Sequence, residues 1–163
     1  METWKPVVGF EGLYDVSDRG HVRSLRRMTP AGWRGGRLLK TPPMKRGYLQ
    51  CSLSKGGVTT KCYVHILVLT AFAEPCPPGK EACHGPGGLQ DNRWPENLRW
   101  DTHPNNNRDM IRDGTHYEAN KPACDNGHLY TKANTRVDAK GHRHCRACDR
   151  ANSAAYKLRQ KAA

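Results

Sequence analysis

One stretch, from Ala82 to Asp109, constrains the fold more than the rest of the chain, because it places a histidine before a turn-rich segment and a helix. His84 comes near the start of this stretch. Glycine, proline and asparagine then dominate, and these residues favour turns over regular structure. Short segments at 81–84 and 98–100 flank the loop and predict two strands. The stretch therefore predicts the order strand, long loop, strand and helix.

The helix at the end of this stretch is predicted from its boundary residues. Thr102 is a favourable N-cap, because its hydroxyl can accept a bond from a free backbone N–H. Pro104 then falls in the first turn, where a missing N–H costs little. Gly114 suits the position that follows the end of a helix. The helix is therefore predicted between Thr102 and Gly114.

Three polar residues occur in this order with a characteristic spacing, namely His84, Asn92 and Asn106. Together with the residues at 91–93 and 96–100, they resemble the motif of HNH, or ββα-metal, nucleases in the version found in homing and phage enzymes. The resemblance implies an α+β protein of small modules, built around a ββα-metal nuclease core.

The resemblance also implies metal-dependent hydrolysis of DNA phosphodiester bonds, which leaves 3′-hydroxyl and 5′-phosphate ends. His84 would be the general base, because a neutral imidazole accepts a water proton near pH 7. Asn92 would orient His84, and Asn106 would give an oxygen to one Mg²⁺ or Mn²⁺ ion. We therefore expect His84 and Asn106 to face one another across a small cavity. Arg93 and Arg99 would hold the region of the scissile phosphate.

Cys83 departs from the family pattern, in which Asp or Asn commonly precedes the histidine as a second metal ligand. A thiol is a poor ligand for Mg²⁺ and suits softer ions. Three explanations stay open. Asn106 and the substrate phosphates hold the ion without it, a nearby aspartate compensates, or the metal preference has changed. The aspartates considered are Asp91, Asp101 and Asp109.

The N-terminal part of the chain predicts a β-rich module. Alternating residues at 13–17 and 21–25 flank a turn and predict a hairpin. The segments 48–53 and 58–63, joined by a glycine-rich turn, predict a second hairpin. The segment 28–37, rich in glycine and proline, is predicted to be a loop.

Residues 4–25 resemble the small DNA-binding module that is often fused to HNH homing nucleases, which implies double-stranded DNA as a partner. Several arginines cluster on and after the first hairpin, where they could contact phosphates. The alternative interpretation is a charged face that only contacts water. The arginines are Arg19, Arg23, Arg26 and Arg27.

The run 64–73 is the most apolar of the chain and predicts a buried helix that braces the N-terminal module against the nuclease core. It is too short to span a bilayer, so no membrane partner is expected. His65, Leu69 and Phe72 share one face of this helix. We interpret His65 as a structural histidine, with contact to the active site or DNA as the alternative. The three prolines within 74–80 predict a stiff linker.

The C-terminal part carries the spacing Cys-x3-His…Cys-x2-Cys, which predicts a structural Zn²⁺ site, because zinc prefers Cys and His and four ligands close its coordination. Bound zinc would let this segment, which is poor in apolar residues, fold. The pattern also resembles zinc knuckles of phage HNH nucleases. His142 and His144 are alternative ligands. The predicted ligands are Cys124, His128, Cys145 and Cys148.

Charge supports a polyanionic partner, since 27 Lys and Arg against 15 acidic residues give a net charge of +12. More than half of the excess lies after residue 120. A helix is predicted from Arg146 onward, and Arg146 and Arg150 are its candidate DNA contacts. A solvated tail that aids solubility is the alternative.

Hydrophobic residues form 36% of the 163-residue chain, so no large core is available. We divide the chain into a β-rich module at 1–63, a nuclease core at 64–114 and a zinc knuckle with a basic helix at 115–163. The chain start lacks a secretory pattern, and its seven cysteines fit metal ligands and free thiols. We expect a cytoplasmic monomer, in the host cytoplasm if a phage encodes it.

Two other functions fit the same modules. The first is a DNA- or RNA-binding protein whose nuclease core has lost activity, and Cys83 favours it. The second is a zinc-dependent assembly protein, such as a phage packaging partner, that cleaves only within a complex.

Overall fold

A computed structural model describes residues 1–162. The chain divides into two compact units, Met1–Asp109 and Met110–Ala163. The strands and helices of the first unit follow one another as β1 (Trp4–Pro6), β2 (Tyr14–Ser17), β3 (Val22–Ser24), β4 (Arg27–Thr29), β5 (Gly32–Arg34), β6 (Arg37–Leu38), β7 (Gln50–Lys55), β8 (Val58–Tyr63), α1 (Val64–Phe72), β9 (Glu81–His84), β10 (Leu98–Asp101) and the start of α2 (His103–Arg112).

The N-terminal segment forms an antiparallel sheet in the order β1-β2-β3-β6. The predicted first hairpin is confirmed, since β2 pairs with β3 and Val16 lies opposite Val22. Both valines are buried, because β2 is covered on both sides. This sheet therefore provides much of the apolar area of the first unit.

The prediction of a loop at 28–37 is wrong. This segment contains the hairpin of β4 and β5, in which Met28 lies opposite Trp33 and Thr29 opposite Gly32. Gly32 has a φ of +94° and allows the tight reversal between the two strands. Glycine and proline therefore mark the turn of a short hairpin here, and not an irregular segment.

The predicted second hairpin is confirmed, with β7 and β8 paired from Gln50–Tyr63 to Lys55–Val58. Gly56 and Gly57 have φ angles of +58° and +81°. Positive φ at both central positions is typical of a type I′ turn, which two-residue hairpin loops favour because it matches the twist of the flanking strands.

The predicted apolar helix is confirmed as α1, which packs on the N-terminal sheet and on the β9–β10 ribbon through one hydrophobic core. Val64, Val68 and Leu69 are fully buried in this core, and Leu53 and Leu98 join it from the hairpin and the ribbon. The predicted N-terminal module and nuclease core therefore share their core. The three-part division of the chain remains a prediction.

The predicted strand, loop, strand and helix are confirmed as β9, the loop at 85–97, β10 and α2. The carbonyl of Thr102 accepts the backbone N–H of Asn106, as expected of the residue before the helix. Gly114 follows the helix with a φ of +68°.

The second unit contains α3 (Tyr117–Asn120), β11 (Thr135–Val137), β12 (Arg143–Cys145) and α4 (Arg146–Ala162). The helix predicted from Arg146 is confirmed as α4. Within residues 1–162, the helices are all too short or too polar to cross a membrane.

One close approach joins the first hairpin to the loop between β9 and β10. Gly20 has a φ of +82°, and a Cβ at this position would lie 2.6 Å from Cβ of Asn92. The backbone N–H of Trp94 also donates to the carbonyl of Asp18 at 2.8 Å. The hairpin turn therefore holds the loop in place at Asn92.

Replacing Gly20 tests this contact. Gly9→Ala is the matched control, because Gly9 has a φ of +81° and a Cβ there would meet nothing within 4 Å. We expect the control to lose about 1–2 kcal/mol from backbone strain alone. Gly20→Ala should lose about 3 kcal/mol or more, because a steric clash adds to the strain. Urea unfolding curves measure both, and equal losses would contradict the close approach.

Candidate active site and metal centre

The β9–β10 ribbon has two chemically different faces. Directly paired residues of an antiparallel ribbon point to the same side. The pairs Glu81–Asp101 and Cys83–Arg99 therefore define one face, and the pairs Ala82–Trp100 and His84–Leu98 define the other. Helix α2 contacts the first face, because Asn106 bonds to Glu81 and Asp109 to Arg99.

His84 lies against other rings at the end of β9. Its ring centroid is 4.8 Å from that of His65 in α1 and 5.7 Å from that of Tyr48. The rings of Tyr48 and His65 are 5.2 Å apart, so the three rings form one cluster. Sequence reasoning missed Tyr48, because no local pattern links it to a histidine 36 residues later.

Asn92 is 2% exposed and lies beside His84. Burial lowers the pKa of His84, while the neighbouring Asn92 side chain and the charge of Asp91 act in the opposite direction. Among residues 1–162, Nε2 of His84 and Oδ1 of Asn92 are two of the few buried side-chain atoms without a partner. One can donate and the other can only accept, so the two atoms are chemically complementary.

His65 is 7% exposed, and its Nδ1 is also buried without a partner among the described residues. Burial lowers the pKa of His65 to about 4, with a smaller contribution from the charge of His84. His65 is therefore neutral at physiological pH. The structure places it at the candidate active site, which was the alternative interpretation in the sequence.

The loop between β9 and β10 is held by Asn97, which the sequence reasoning did not select. Its Oδ1 accepts the backbone N–H of Gly87 at 2.9 Å, and its Nδ2 donates to the carbonyls of Gly88 and Asp91 at 3.0 and 2.7 Å. Asn97 is 5% exposed. One buried carboxamide thus fixes three points of a loop that has no regular structure.

Asn106 contacts a different part of β9 from the cluster around His84. Its Nδ2 donates to Oε1 of Glu81 at 2.7 Å, and Glu81 also lies 3.1 Å from Nδ1 of His103. Hydrogen bonding to Asn106 lowers the pKa of Glu81, so this carboxyl group is ionised at neutral pH. The expected direct apposition of His84 and Asn106 is not among the contacts that the described residues make.

Cys83 does not fit a ligand for a hard cation. It is 1% exposed, and its Sγ lies 3.5 Å from the carbonyl oxygen of Glu81. Burial raises the pKa of Cys83 to about 11, so the group is a neutral thiol at physiological pH. The residue is one of the largest fully buried side chains, which indicates a role in packing.

The three aspartates considered as replacements for the missing ligand are engaged with arginines. Asp91 forms two hydrogen bonds with the guanidinium of Arg93, at 2.9 and 2.7 Å. Arg99 pairs with Asp101 at 3.1 Å and with Asp109. These pairs also mean that Arg93 and Arg99, the predicted phosphate contacts, have carboxylate partners within the protein.

The remaining predicted DNA contacts lie at the surface to different degrees. Arg23 pairs with Asp15 at 2.9 Å and stacks over Trp4. Arg26 stacks over Trp33 and Arg27 over Tyr14. The exposed arginines of the predicted set are Arg19, Arg26, Arg93, Arg146 and Arg150.

The second unit brings the four predicted metal ligands together. Their ligand atoms all lie within 4.8 Å of one another. Sγ of Cys124 is 3.7 Å from Sγ of Cys148 and 3.5 Å from Nδ1 of His128. Cys145 completes the group from the end of β12. A single ion could therefore contact all four side chains.

The neighbouring residues distinguish His128 from the alternative ligands. Nε2 of His144 lies 3.0 Å from Asp138 and Nδ1 of His142 lies 3.4 Å from the same carboxylate. Both alternatives are thus engaged outside the cluster. Asn134 and Asn126 donate to Sγ of Cys145 and Cys148 at 3.3 Å, and such outer bonds support thiolate ligands.

Comparison with known proteins gives consistent matches. A family model described as the NUMOD4 motif matches residues 2–54. DNA endonuclease I-HmuI of Bacillus phage SP01 is 36% identical over 112 residues, which cover 69% of this chain and 59% of that protein. A solved structure described as DNA binding and cleavage by the HNH homing endonuclease I-HmuI is 35% identical with a TM-score of 0.56, and covers 69% of this chain and 60% of that one. This chain therefore spans less than two thirds of the length of either relative.

The burial of His65 predicts a pH dependence of stability. A histidine whose folded pKa of about 4 lies below its ordinary value of 6.5 binds more protons in the unfolded state. The contribution of His65 to the free energy of unfolding is therefore complete above pH 6.5. It decreases by about 3 kcal/mol as the pH drops towards 4. His65→Gln should flatten this dependence in urea unfolding measured from pH 7 to 4. His21→Gln, at an exposed histidine, is the control. An unchanged dependence in His65→Gln would contradict the prediction.

Proposed function

Because the chain is 36% identical over 112 residues to an HNH homing endonuclease, we propose that it belongs to that family and is a metal-dependent DNA endonuclease that hydrolyses phosphodiester bonds and leaves 3′-hydroxyl and 5′-phosphate ends. The observation that carries this proposal is the position of the buried Asn92 side chain beside His84 at the end of β9. Double-stranded DNA is the proposed partner, in line with the net charge of +12.

His84 is the proposed general base. If its buried Nε2 carries the proton and donates towards Oδ1 of Asn92, Nδ1 keeps a lone pair that can accept a proton from water. Burial keeps the ring neutral at pH 7, which is the form that a base needs. Asn92 is in this proposal a positioning residue, because it fixes the tautomer and the ring orientation.

Asn106 is a proposed ligand of the divalent ion. Its Nδ2 donates to Glu81, so its Oδ1 is the atom that remains to contact a cation. Carboxamide oxygens suit Mg²⁺ and Mn²⁺, whereas the neutral, buried thiol of Cys83 does not. A bound divalent ion would stabilise charge on the phosphate and on the leaving oxygen.

The separation of His84 from Asn106 is compatible with this chemistry. In an in-line displacement, the attacking and the leaving oxygen lie on opposite sides of the phosphorus. The base acts on the attacking side and the ion on the leaving side. The proposed roles therefore do not need a direct contact between the two side chains.

The exposed arginines are the proposed phosphate contacts, in particular Arg19 and Arg26 on the N-terminal sheet and Arg146 and Arg150 on α4. Phosphate contacts would position the DNA without reading its sequence. Arg23 and Arg27 stack on aromatic rings of the N-terminal segment and are further candidates for phosphate contact. A monomer in the cytoplasm and a phage packaging partner remain predictions.

A second candidate function is a DNA-binding protein without nuclease activity. The observation that favours it is Cys83, which cannot supply the metal ligand that this position commonly supplies in the family. A cleavage assay separates the two functions, because both predict binding to DNA and only one predicts strand scission.

His84→Ala tests the proposed activity. We expect the parent protein to cut or nick supercoiled plasmid in Mg²⁺ or Mn²⁺, and we expect the variant to lose at least about 100-fold in rate, because general-base catalysis contributes that much. DNA binding, measured by gel shift, should survive. His21→Ala is the control at an exposed histidine. Equal rates for His84→Ala and the parent would exclude the general-base role, and no cleavage by the parent would favour the binding protein.

We also propose Zn²⁺ as the ion of the Cys124–His128–Cys145–Cys148 cluster. Tetrahedral zinc with Zn–S bonds of about 2.3 Å separates two sulfur ligands by about 3.8 Å. The distance of 3.7 Å between the sulfurs of Cys124 and Cys148 fits this value. Four side-chain ligands leave no position for water, so the role of this ion would be structural.

Metal analysis tests the zinc proposal. We expect about one zinc per chain, and almost none in the Cys145→Ser/Cys148→Ser variant, because two of four ligands are removed. The second unit should also lose protection from proteolysis. Cys62→Ser/Cys76→Ser is the matched control, since both residues are free cysteines outside the cluster. A well-folded parent without bound metal would overturn the proposal.

A further inference from the structure

Three polar side chains meet at the start of β9. Oε1 of Glu81 accepts Nδ2 of Asn106 at 2.7 Å, and both carboxylate oxygens lie near Nδ1 of His103, at 3.1 and 3.3 Å. Glu81 is 25 residues from Asn106 and 22 from His103 in the chain. The packing of α2 on the ribbon therefore creates this group, and local sequence does not.

The group is open to solvent. The side chain of His103 is 70% exposed and that of Glu81 is 40% exposed. A cation could thus reach the group without any change of the fold. The donors are a carboxylate, a carboxamide oxygen and an imidazole, a set that suits Mn²⁺ and, through the imidazole, later transition metals.

Other carboxylates of the motif form ion pairs with arginines of the protein. Asp91 pairs with Arg93, while Asp101 and Asp109 pair with Arg99. Glu81, in contrast, contacts Asn106 and His103, which carry no permanent charge. Its negative charge is therefore less compensated than that of the three aspartates.

The position of Glu81 on the ribbon relates it to Cys83. The two residues lie on the same face, two positions apart on one strand. Glu81 lies opposite Asp101, close to the start of α2, and its side chain reaches Asn106 of that helix. The carboxylate of Glu81 therefore faces α2, as would the side chain of a metal ligand at position 83.

We propose that Glu81 and His103 join Asn106 as ligands of the divalent ion, so that Glu81 supplies the carboxylate that Cys83 does not. This inference rests on the proposed endonuclease function and deepens it. The ion site is then formed by one strand and the first turn of α2. Cys83 takes no part in binding the ion and is a buried packing residue.

Binding of Mn²⁺ to the full, zinc-loaded chain without DNA tests this site. Electron paramagnetic resonance measures free Mn²⁺ and gives the affinity directly, independent of cleavage. Glu81→Gln keeps the shape and removes the charge, and should weaken Mn²⁺ binding at least about tenfold. Glu96→Gln, at an exposed glutamate in the loop between β9 and β10, is the matched control and should bind like the parent.

Two further variants separate the ligands from their neighbours. His103→Ala changes an exposed residue, so the fold should tolerate it, and it should also weaken Mn²⁺ binding. Cys83→Ser should leave the affinity unchanged, because the thiol is not a ligand in this site. Parent-like affinity in Glu81→Gln or in His103→Ala, or a large loss in Cys83→Ser, would overturn the proposal.

The same variants distinguish this proposal from the endonuclease function. If His84→Ala abolishes cleavage while Glu81→Gln retains full Mn²⁺ affinity, the endonuclease proposal stands and the ion site is wrong. If Glu81→Gln loses Mn²⁺ while His84→Ala still cleaves, the ion site stands and the general-base assignment is wrong.

Discussion

The antiparallel pairing of β9 with β10 is the constraint on which the candidate site depends. Its register sets His84 opposite Leu98 and Glu81 opposite Asp101, and the pleat then sends these pairs to opposite faces. One face packs on α1 and the hydrophobic core, and the other contacts α2. A slip of one residue would exchange the faces and would separate His84 from its ring neighbours.

The titratable groups on the two faces of the ribbon are held in different charge states by different causes. On the core side, desolvation lowers the pKa of His65 and of His84, so that both rings are neutral at physiological pH. On the helix side, hydrogen bonds keep Glu81 ionised next to Asn106. His84 is thus held neutral within a cluster of rings, whereas Asn106 lies beside an ionised carboxylate.

The second unit depends on a different source of stability, because it contains little apolar area. Cys124, His128 and Cys148 are partly exposed or exposed, yet their ligand atoms converge with that of Cys145. Ligands held in this way can replace a hydrophobic core as the source of stability. Helix α4 follows directly from Cys145, so bound metal would also fix the start of the basic helix.

The sequence by itself determined the local structure: the ends of α2 at Thr102 and Gly114, the turn at Gly56–Gly57 and the spacing of the Cys/His ligands, because each is set by neighbouring residues. The prediction from sequence was wrong at 28–37, because glycine and proline occur in hairpin turns as readily as in irregular loops. Only the tertiary structure decided which residues surround His84 and which carboxylate reaches Asn106. The physical reason is that these contacts join distant segments through packing and strand register, which no local pattern encodes.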